Sequence, residues 1–276
     1  MYVIGASANR IIQYTLSTPF DISEATLLAG SFCAEGIPDD GLKAIFNSDG
    51  TKFFIVDDST QDVSILTLTT AYDISTCSNT GSKDFGTTNL RDLKFSNDGK
   101  KVFLYDQGGT HSLKQYSLSS AFDLSSPTLV KNYEGTNIKA HESFAQGFIF
   151  SANGLKFFTT GDNEDTILQF SLSTPFDLRG KVALDGELIL SGLSKLGGIN
   201  FSNDGLKMFV TDFGDRGIRE YNLSCSFGVV KCHDPSTDAD DTATTQSQTE
   251  SAKKLIKHST SPVSYTHLTL PTKRIV

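Results

Sequence analysis

Acidic residues gather at four places along the chain, in each case after a short apolar run. The groups are Asp57, Asp58 and Asp62; Asp106; Asp162, Glu164 and Asp165; and Asp212 and Asp215. Carboxylate oxygens brought together at a loop tip are the ligands that Ca²⁺ prefers in proteins. None of the groups has the D-x-[DN]-x-[DN]-G spacing of a calcium-binding loop. The spacing therefore favours solvated turns. Calcium bound by Asp57, Asp58, Asp62, Asp162, Asp165, Asp212 and Asp215 is the alternative, and the sequence indicates no other cofactor.

Two further pairs of neighbouring residues carry charges that could face a ligand. Arg91 and Asp92 stand at the start of a predicted strand, and His141 is followed directly by Glu142. Catalysis by such a pair needs a third group to orient the imidazole. The sequence has no G-x-S-x-G nucleophile motif and no glycine-rich phosphate loop. We therefore predict no catalytic residue and treat Arg91, Asp92, His141 and Glu142 as ligand-binding candidates.

The four cysteines, Cys33, Cys77, Cys225 and Cys232, include no C-x-x-C pair, which argues against a zinc or thioredoxin-like site. Cys225 and Cys232 are close enough in sequence to close a short loop by a disulfide in an exported protein. Two unpaired thiols are the open alternative.

Composition limits the class of protein. The chain has 276 residues, of which 38% are hydrophobic, with 20 Phe, 8 Tyr and no Trp. Abundant aromatic, Ser, Thr, Asn, Asp and Gly residues favour strands joined by tight turns. A net charge of -8 argues against a nucleic-acid partner, because phosphate binding needs clustered Lys and Arg. No apolar run is long enough to span a membrane, and the first residues lack the features of a signal peptide.

A repeat of about fifty residues organises the chain. Its central leucines are Leu16, Leu68, Leu118, Leu172 and Leu223, separated by 52, 50, 54 and 51 residues. A second segment, typified by Phe95-Ser96-Asn97-Asp98-Gly99, recurs four times in step with them. Asp-Gly and Asn-Gly tolerate the left-handed backbone of a hairpin turn. Each hairpin therefore joins an inner strand to a second strand that contains a short apolar run and is expected to be buried on both faces.

The remaining strands complete the repeat. A third strand alternates apolar and polar residues, and a weaker fourth strand follows a turn that contains an aromatic residue. We predict that this aromatic (Phe20, Tyr72, Phe122, Phe176 and Phe227) wedges between neighbouring repeats. Four antiparallel strands per repeat predict an all-β fold, a β-propeller with about five blades. The first blade is expected to lack its inner strand and the last its outer strand.

The repeats resemble bacterial and environmental, WD-like β-propeller proteins with the pattern F-S-x-D-G-x-K-x-F-V followed by Q-Y-x-L-S-x-P-F-D-I-S. The resemblance covers Met1 to about Gly228 and implies the fold but no activity. We predict propeller repeats over 1–230, an acidic linker over 231–243 and a short helix over 244–261. Residues 262–276 resemble a translated sequencing adapter and are predicted not to be native. The order of these segments resembles, weakly, an autotransporter passenger, so we expect a fragment of a larger exported protein.

Two functions fit these patterns. The favoured one is a non-enzymatic binding or display module for a protein or glycan, located outside the cell or on a bacterial surface. The alternative is a lactonase-like or other hydrolytic propeller with a metal in its central channel. Three or more convergent carboxylate, Asn or His side chains on the axis would distinguish the second.

Overall fold

The computed structural model describes residues 1–5, 10–33, 41–190, 192–193, 195–215, 217–230, 232 and 265–269. The predicted helix over 244–261 lies outside the described residues, as does the predicted acidic linker except for Cys232. No helix of the described part is both long and apolar enough to cross a membrane.

The prediction of an all-β propeller is confirmed, because the described strands form five antiparallel sheets arranged as blades. Blade 1 contains β1 (Tyr2–Gly5), β2 (Arg10–Thr15) and β3 (Thr26–Cys33). Blade 2 contains β4 (Gly41–Phe46), β5 (Lys52–Asp57), β6 (Asp62–Leu68) and β7 (Cys77–Asp84). Blade 3 contains β8 (Leu90–Phe95), β9 (Lys101–Asp106), β10 (Ser112–Ser117) and β11 (Thr128–Tyr133). After α1 (Thr136–His141), blade 4 contains β12 (Ala145–Phe150), β13 (Lys156–Gly161), β14 (Thr166–Leu172) and β15 (Val182–Ile189). Blade 5 contains β16 (Leu196–Phe201), β17 (Lys207–Asp212) and β18 (Gly217–Asn222).

The inner position of blade 1 is filled from the far end of the chain. The backbone of β19 (Tyr265–Thr269) pairs antiparallel with β1, with Val3 opposite Leu268. Blade 1 therefore has four strands, which differs from the expectation that its inner strand is missing. Blade 5 has three strands among the described residues, as expected. The resemblance of 262–276 to an adapter stays a prediction, because backbone pairing depends little on side-chain identity.

The blades close into a ring. The inner strands contact one another in the order β19, β4, β8, β12, β16 and back to β19. Blade 5 also packs directly on blade 1, where Phe209 and Ile218 lie in one apolar cluster with Val3 and Tyr14. Burial of these side chains stabilises the closed ring independently of β19.

In blades 2 to 5, the turn aromatic contacts the inner-strand phenylalanine of its own blade. The backbone of Phe122 is left-handed, with φ of 56°, and its amide donates to Gly99 O at 2.9 Å. A Cβ added at Gly99 would lie 2.3 Å from the Phe122 ring, so the hairpin and the turn fit only with glycine there. The same arrangement joins Gly50 to Tyr72, Gly154 to Phe176 and Gly205 to Phe227.

The wedge between blades is instead the phenylalanine that ends the inner strands of blades 2 to 5. Phe95 contacts Phe54 of the preceding blade, with ring centroids 4.8 Å apart. The equivalent pairs are Tyr2 with Phe46, Phe103 with Phe150 and Phe158 with Phe201. The prediction of an aromatic wedge was right in kind but assigned to the wrong aromatic residue.

Two disulfides are present. Cys225 is bonded to Cys232, with Cα atoms 5.6 Å apart. Cys33 is bonded to Cys77, with Cα atoms 5.8 Å apart, and this bond joins the outer strands of blades 1 and 2. The sequence pattern did not indicate the second pairing.

Candidate functional site

The aspartates that end the second strands hold loops in place. Asp106 is 4% exposed, and its Oδ1 accepts from the amides of Asn89 and Gly108, both at 3.0 Å. Asp212 likewise accepts from the amides of Lys195 and Gly214. Asp57 is also buried and accepts from loop amides. Each carboxylate thus satisfies backbone donors beside the start of an inner strand or within the following loop.

Glu142 takes this role in blade 4, where the strand-end residue is Gly161. Its carboxylate accepts from the amides of Phe144 at 2.9 Å, Asn163 at 3.3 Å and Glu164 at 3.2 Å. Phe144 and Asn163 are the equivalents of Asn89 and Gly108 in blade 3. Glu142 is 1% exposed, and burial together with a hydrogen bond to Glu164 raises its pKa to about 7. Glu142 therefore has a structural role, because it holds this loop in place.

His141 lies at the outside of blade 4. Its Nδ1 is 2.6 Å from Glu187 Oε2 on the outer strand β15. The ligand-binding candidate His141 therefore lies at the outer strand and not beside Arg91 and Asp92.

The remaining acidic loop residues are hydrogen bonded or ion paired. Asp165 Oδ1 accepts from the amide of Leu196 at 2.9 Å and thereby joins blade 4 to blade 5. Asp62 accepts from the Thr60 hydroxyl at 2.6 Å, and Asp215 pairs with Arg219 at 3.2 Å. Calcium at these loop tips stays a prediction.

Charged residues converge at the axis where the inner strands begin. Asp92 of β8 is 2% exposed. Its Oδ1 accepts from Lys94 Nζ at 2.6 Å, and its Oδ2 accepts from the Phe148 amide of β12 at 2.9 Å. Lys43 of β4 reaches the same point, because a Cβ added at Gly147 would lie 3.0 Å from Asp92 Oδ2 and 3.3 Å from Lys43 Cε. Glycine at position 147 makes this approach of three blades possible.

Burial lowers the pKa of Lys43 to about 8. The negative charge of Asp92 opposes this shift, whereas the positive charges of Lys94 and Arg91 add to it. Its Nζ lies 5.8 Å from the centre of the Phe213 ring of blade 5. Lys43 therefore links residues of four blades, and its charge state changes near pH 8.

Bulges at the start of the inner strands shape what we call the axial mouth, formed by Arg91, Gln107, Gln146, Asp162 and Phe213. Arg91 and Gln146 are the bulged residues of β8 and β12. Gln107, Asp162 and Phe213 are the first loop residues after the second strands. In blades 3 and 4 the bulged residue is hydrogen bonded to the loop residue of the same blade. Arg91 Nε donates to Gln107 Oε1 at 3.0 Å, and Gln146 Nε2 donates to Asp162 Oδ2 at 3.1 Å.

Two buried polar atoms of the axial mouth have no hydrogen-bond partner in the described part of the chain. They are Asp162 Oδ1 and Gln107 Nε2, which belong to equivalent residues of adjacent blades. Burial raises the pKa of Asp162 above its usual value. A buried polar atom without a partner is costly, which makes these two atoms the strongest pointers to a ligand.

A divalent metal does not fit this arrangement. Both oxygens of Asp92 already accept hydrogen bonds, and Lys43, Lys94 and Arg91 would repel a cation. Within the described ranges, no group of three or more His, Cys, Asp or Glu could hold a metal ion. The prediction of a channel metal thus lacks a ligand set here, and we derive no step through one.

Of the four ligand-binding candidates, Arg91 lies in the axial mouth and Asp92 beside it, whereas His141 and Glu142 lie elsewhere in blade 4. The other residues at the axis were not predicted as a group. Asp162 was considered only as a calcium ligand. Lys43, Gln107 and Gln146 carried no motif, and the glycine at position 147 was the one signal of close approach at the axis.

Comparison with known proteins places the fold but not a family. No protein-family model matches the chain, and no curated protein matches it. A candidate 6-phosphogluconolactonase from Bacteroides fragilis aligns with a TM-score of 0.52 and 13% identity, over 90% of this chain and 66% of that one. The nidogen/laminin complex aligns at 0.51 and 10% identity, over 80% and 72%. The periplasmic gluconolactonase of Pseudomonas aeruginosa aligns at 0.47 and 17% identity, over 78% and 60%.

These neighbours correct one prediction. The expectation that the chain is not an enzyme was wrong as an inference from fold, because the structures of similar fold include a protein named as a candidate 6-phosphogluconolactonase. The chain spans less than two thirds of the length of the two lactonase structures above.

Proposed function

We propose that the chain hydrolyses a small ester or lactone at the axial mouth. The observation that carries the proposal is Asp162, a half-buried carboxyl with a raised pKa and an unpartnered Oδ1, in a mouth whose other charges are mainly cationic. A carboxylate that lacks partners can accept a proton from water, and nearby cations can stabilise the oxyanion that forms.

Each residue has a distinct role in this proposal. Asp162 removes a proton from a water molecule as the water oxygen attacks the carbonyl carbon, and Gln146 orients the carboxylate through Oδ2. Lys43 and Arg91 stabilise the negative charge on the carbonyl oxygen. The bond from the carbonyl carbon to the ring or ester oxygen then breaks, and Asp162 returns the proton to that leaving oxygen. The product is a hydroxy acid or an acid and an alcohol.

The first test is Asp162→Asn against a panel of lactones and aryl esters. Loss of a positioned base lowers kcat by about a hundred-fold or more. The control is Asp215→Asn, which changes an exposed loop carboxylate of blade 5 and should leave the rate unchanged. The proposal fails if the wild-type chain hydrolyses nothing in the panel, or if Asp162→Asn keeps the full rate.

We also propose that the protein works in an oxidising compartment. Both cysteine pairs of the described chain are bonded and no free cysteine is present there, and structural disulfides persist mainly outside the cytoplasm. Mass spectrometry after alkylation of the unreduced protein should find no modified thiol. Alkylation of Cys33 and Cys77 in protein taken directly from its source would contradict this placement.

A further inference from the structure

We infer that Arg91 and Gln107 form an anion-binding subsite in the axial mouth, which selects substrates that carry a carboxylate or phosphate group. The choice of substrate rests on the proposed function, whereas the subsite itself rests on the geometry of these two side chains.

Arg91 is held in one orientation by three neighbours. Its Nε donates to Gln107 Oε1 at 3.0 Å and its Nη1 donates to Asp58 Oδ2 at 3.2 Å. Its guanidinium lies over the Phe144 ring, 5.3 Å from the ring centre. Among the described residues nothing accepts from Nη2, so one edge of a fixed guanidinium still has a donor to offer. A preorganised guanidinium loses little entropy when it binds an oxyanion.

Gln107 supplies a second donor beside the first. Its Oε1 accepts from both Asn89 Nδ2 at 3.1 Å and Arg91 Nε. These two donors fix which end of the amide is oxygen. Nε2 is consequently the other terminal atom of the same amide, beside the oxygen that accepts from Arg91. It is buried and has no acceptor in the described part of the chain, and Gln107 as a whole is only 6% exposed.

The donors decide between an anionic and a neutral ligand. Arg91 pairs with Asp58 and Lys94 pairs with Asp92, so the open groups of the subsite are Arg91 Nη2 and the buried Gln107 Nε2. Both can donate hydrogen bonds and neither can accept one. A carboxylate or phosphate offers each donor a charged acceptor oxygen, whereas a neutral hydroxyl group offers a single, weaker acceptor.

The test is calorimetric titration of the full chain with gluconate, inorganic phosphate and, as the uncharged probe, glucose. We expect at least one of the anions to bind and glucose not to bind measurably. Gln107→Glu keeps the acceptor for Arg91 but replaces the open donor with a carboxylate oxygen, so it should weaken anion binding by about ten-fold or more. Comparison of gluconate with phosphate shows which oxyanion the subsite prefers.

Two more variants keep the result interpretable. Arg91→Lys retains the charge but loses the fork of donors, and should also weaken binding by about ten-fold. Lys100→Gln removes a cation from the hairpin at the opposite end of blade 3 and should leave binding unchanged. If Gln107→Glu melts early, Arg91→Lys alone decides. Absence of anion binding by the wild-type chain, or binding by both site variants that equals that of wild type, would overturn the subsite.

The outcome separates the two proposals. Anion binding without hydrolysis of any ester would sink the hydrolytic function and leave the subsite standing. Hydrolysis that is as fast for uncharged esters as for charged ones, and unaffected by Gln107→Glu, would support the function and reject the subsite.

Discussion

Blade 4 takes its loop-holding carboxylate from a different position in the chain than blade 3 does. In blade 3 the carboxylate comes from the strand-end Asp106, whereas in blade 4 it comes from the preceding loop and the strand ends in glycine. A Cβ added at Gly161 would lie 2.1 Å from Glu142 Cδ, so the two solutions exclude each other. The same loop amides are satisfied in both cases, which explains why a buried glutamate lies here without a catalytic role.

A swap of the two residues tests this equivalence. We expect Gly161→Asp alone to destabilise the fold by about 1–3 kcal/mol through overpacking, and Glu142→Ala alone to cost about 1–3 kcal/mol through unpaired amides. The double variant should recover most of both losses, because the introduced carboxylate would then hold the loop as Asp106 does. Urea unfolding of the four proteins gives the coupling energy directly. Simple additivity of the two losses would contradict the proposed equivalence.

The same glutamate predicts a pH dependence of stability. Because the pKa of Glu142 is raised from 4.5 to about 7 in the folded chain, its protonation favours folding. The stabilising contribution is fully present below about pH 4.5 and is lost as the pH rises through about 7. The pKa of Glu164 is lowered by the same contact, so Glu164 titrates below this window. The stability of wild type relative to Glu142→Gln should therefore fall between about pH 5 and pH 8, as measured by denaturant unfolding. A constant difference would place the pKa of Glu142 outside this range.

At the scale of the element, blades 2 to 5 are each built around a hairpin glycine and a turn aromatic. The left-handed backbone of an aromatic residue costs about 1 kcal/mol or more, yet all five turn aromatics adopt it. The contact of the ring with the glycine and the inner-strand phenylalanine offsets this cost. Phe122, for example, lies 5.0 Å from Phe95, centroid to centroid.

Alanine substitutions separate the ring contact from the backbone preference. Gly99 and Gly109 both have positive φ, 69° and 63°, but only at Gly99 would a Cβ meet another group. Gly109→Ala should cost about 1 kcal/mol, from backbone strain alone. Gly99→Ala should cost about 1–3 kcal/mol more, because the Phe122 ring must move. Thermal unfolding measures both, and equal losses would show that the ring contact contributes nothing.

At the scale of the whole molecule, the sequence predicts the repeat far better than it predicts the site. Hairpins such as Asp98-Gly99 are local and were located from sequence. The axial mouth and the buried charges beside it depend on Lys43, Asp92 and Asp162, which are about fifty residues or more apart and meet only when blades 2, 3 and 4 assemble. Nothing local in a lone lysine at the start of a strand indicates that it will be buried beside a carboxylate of the next blade. The pairing of Cys33 with Cys77 was not predicted for the same reason, because the two residues are 44 positions apart and lie in different blades.

The disulfide between blades 1 and 2 is expected to stabilise the fold more than the disulfide between Cys225 and Cys232. Cys33 and Cys77 are 44 residues apart and bridge two blades, whereas Cys225 and Cys232 are 7 apart. Because a cross-link restricts the unfolded chain more when it closes a longer loop, we expect Cys33→Ser with Cys77→Ser to cost about 4 kcal/mol. Cys225→Ser with Cys232→Ser should cost about 2.5 kcal/mol. Thermal unfolding of both double variants, without reductant, compares the two directly. An equal or smaller loss for the pair between blades would mean that apolar contacts such as Tyr2 with Phe46 already hold blades 1 and 2 together, and that the disulfide adds little to closure of the ring.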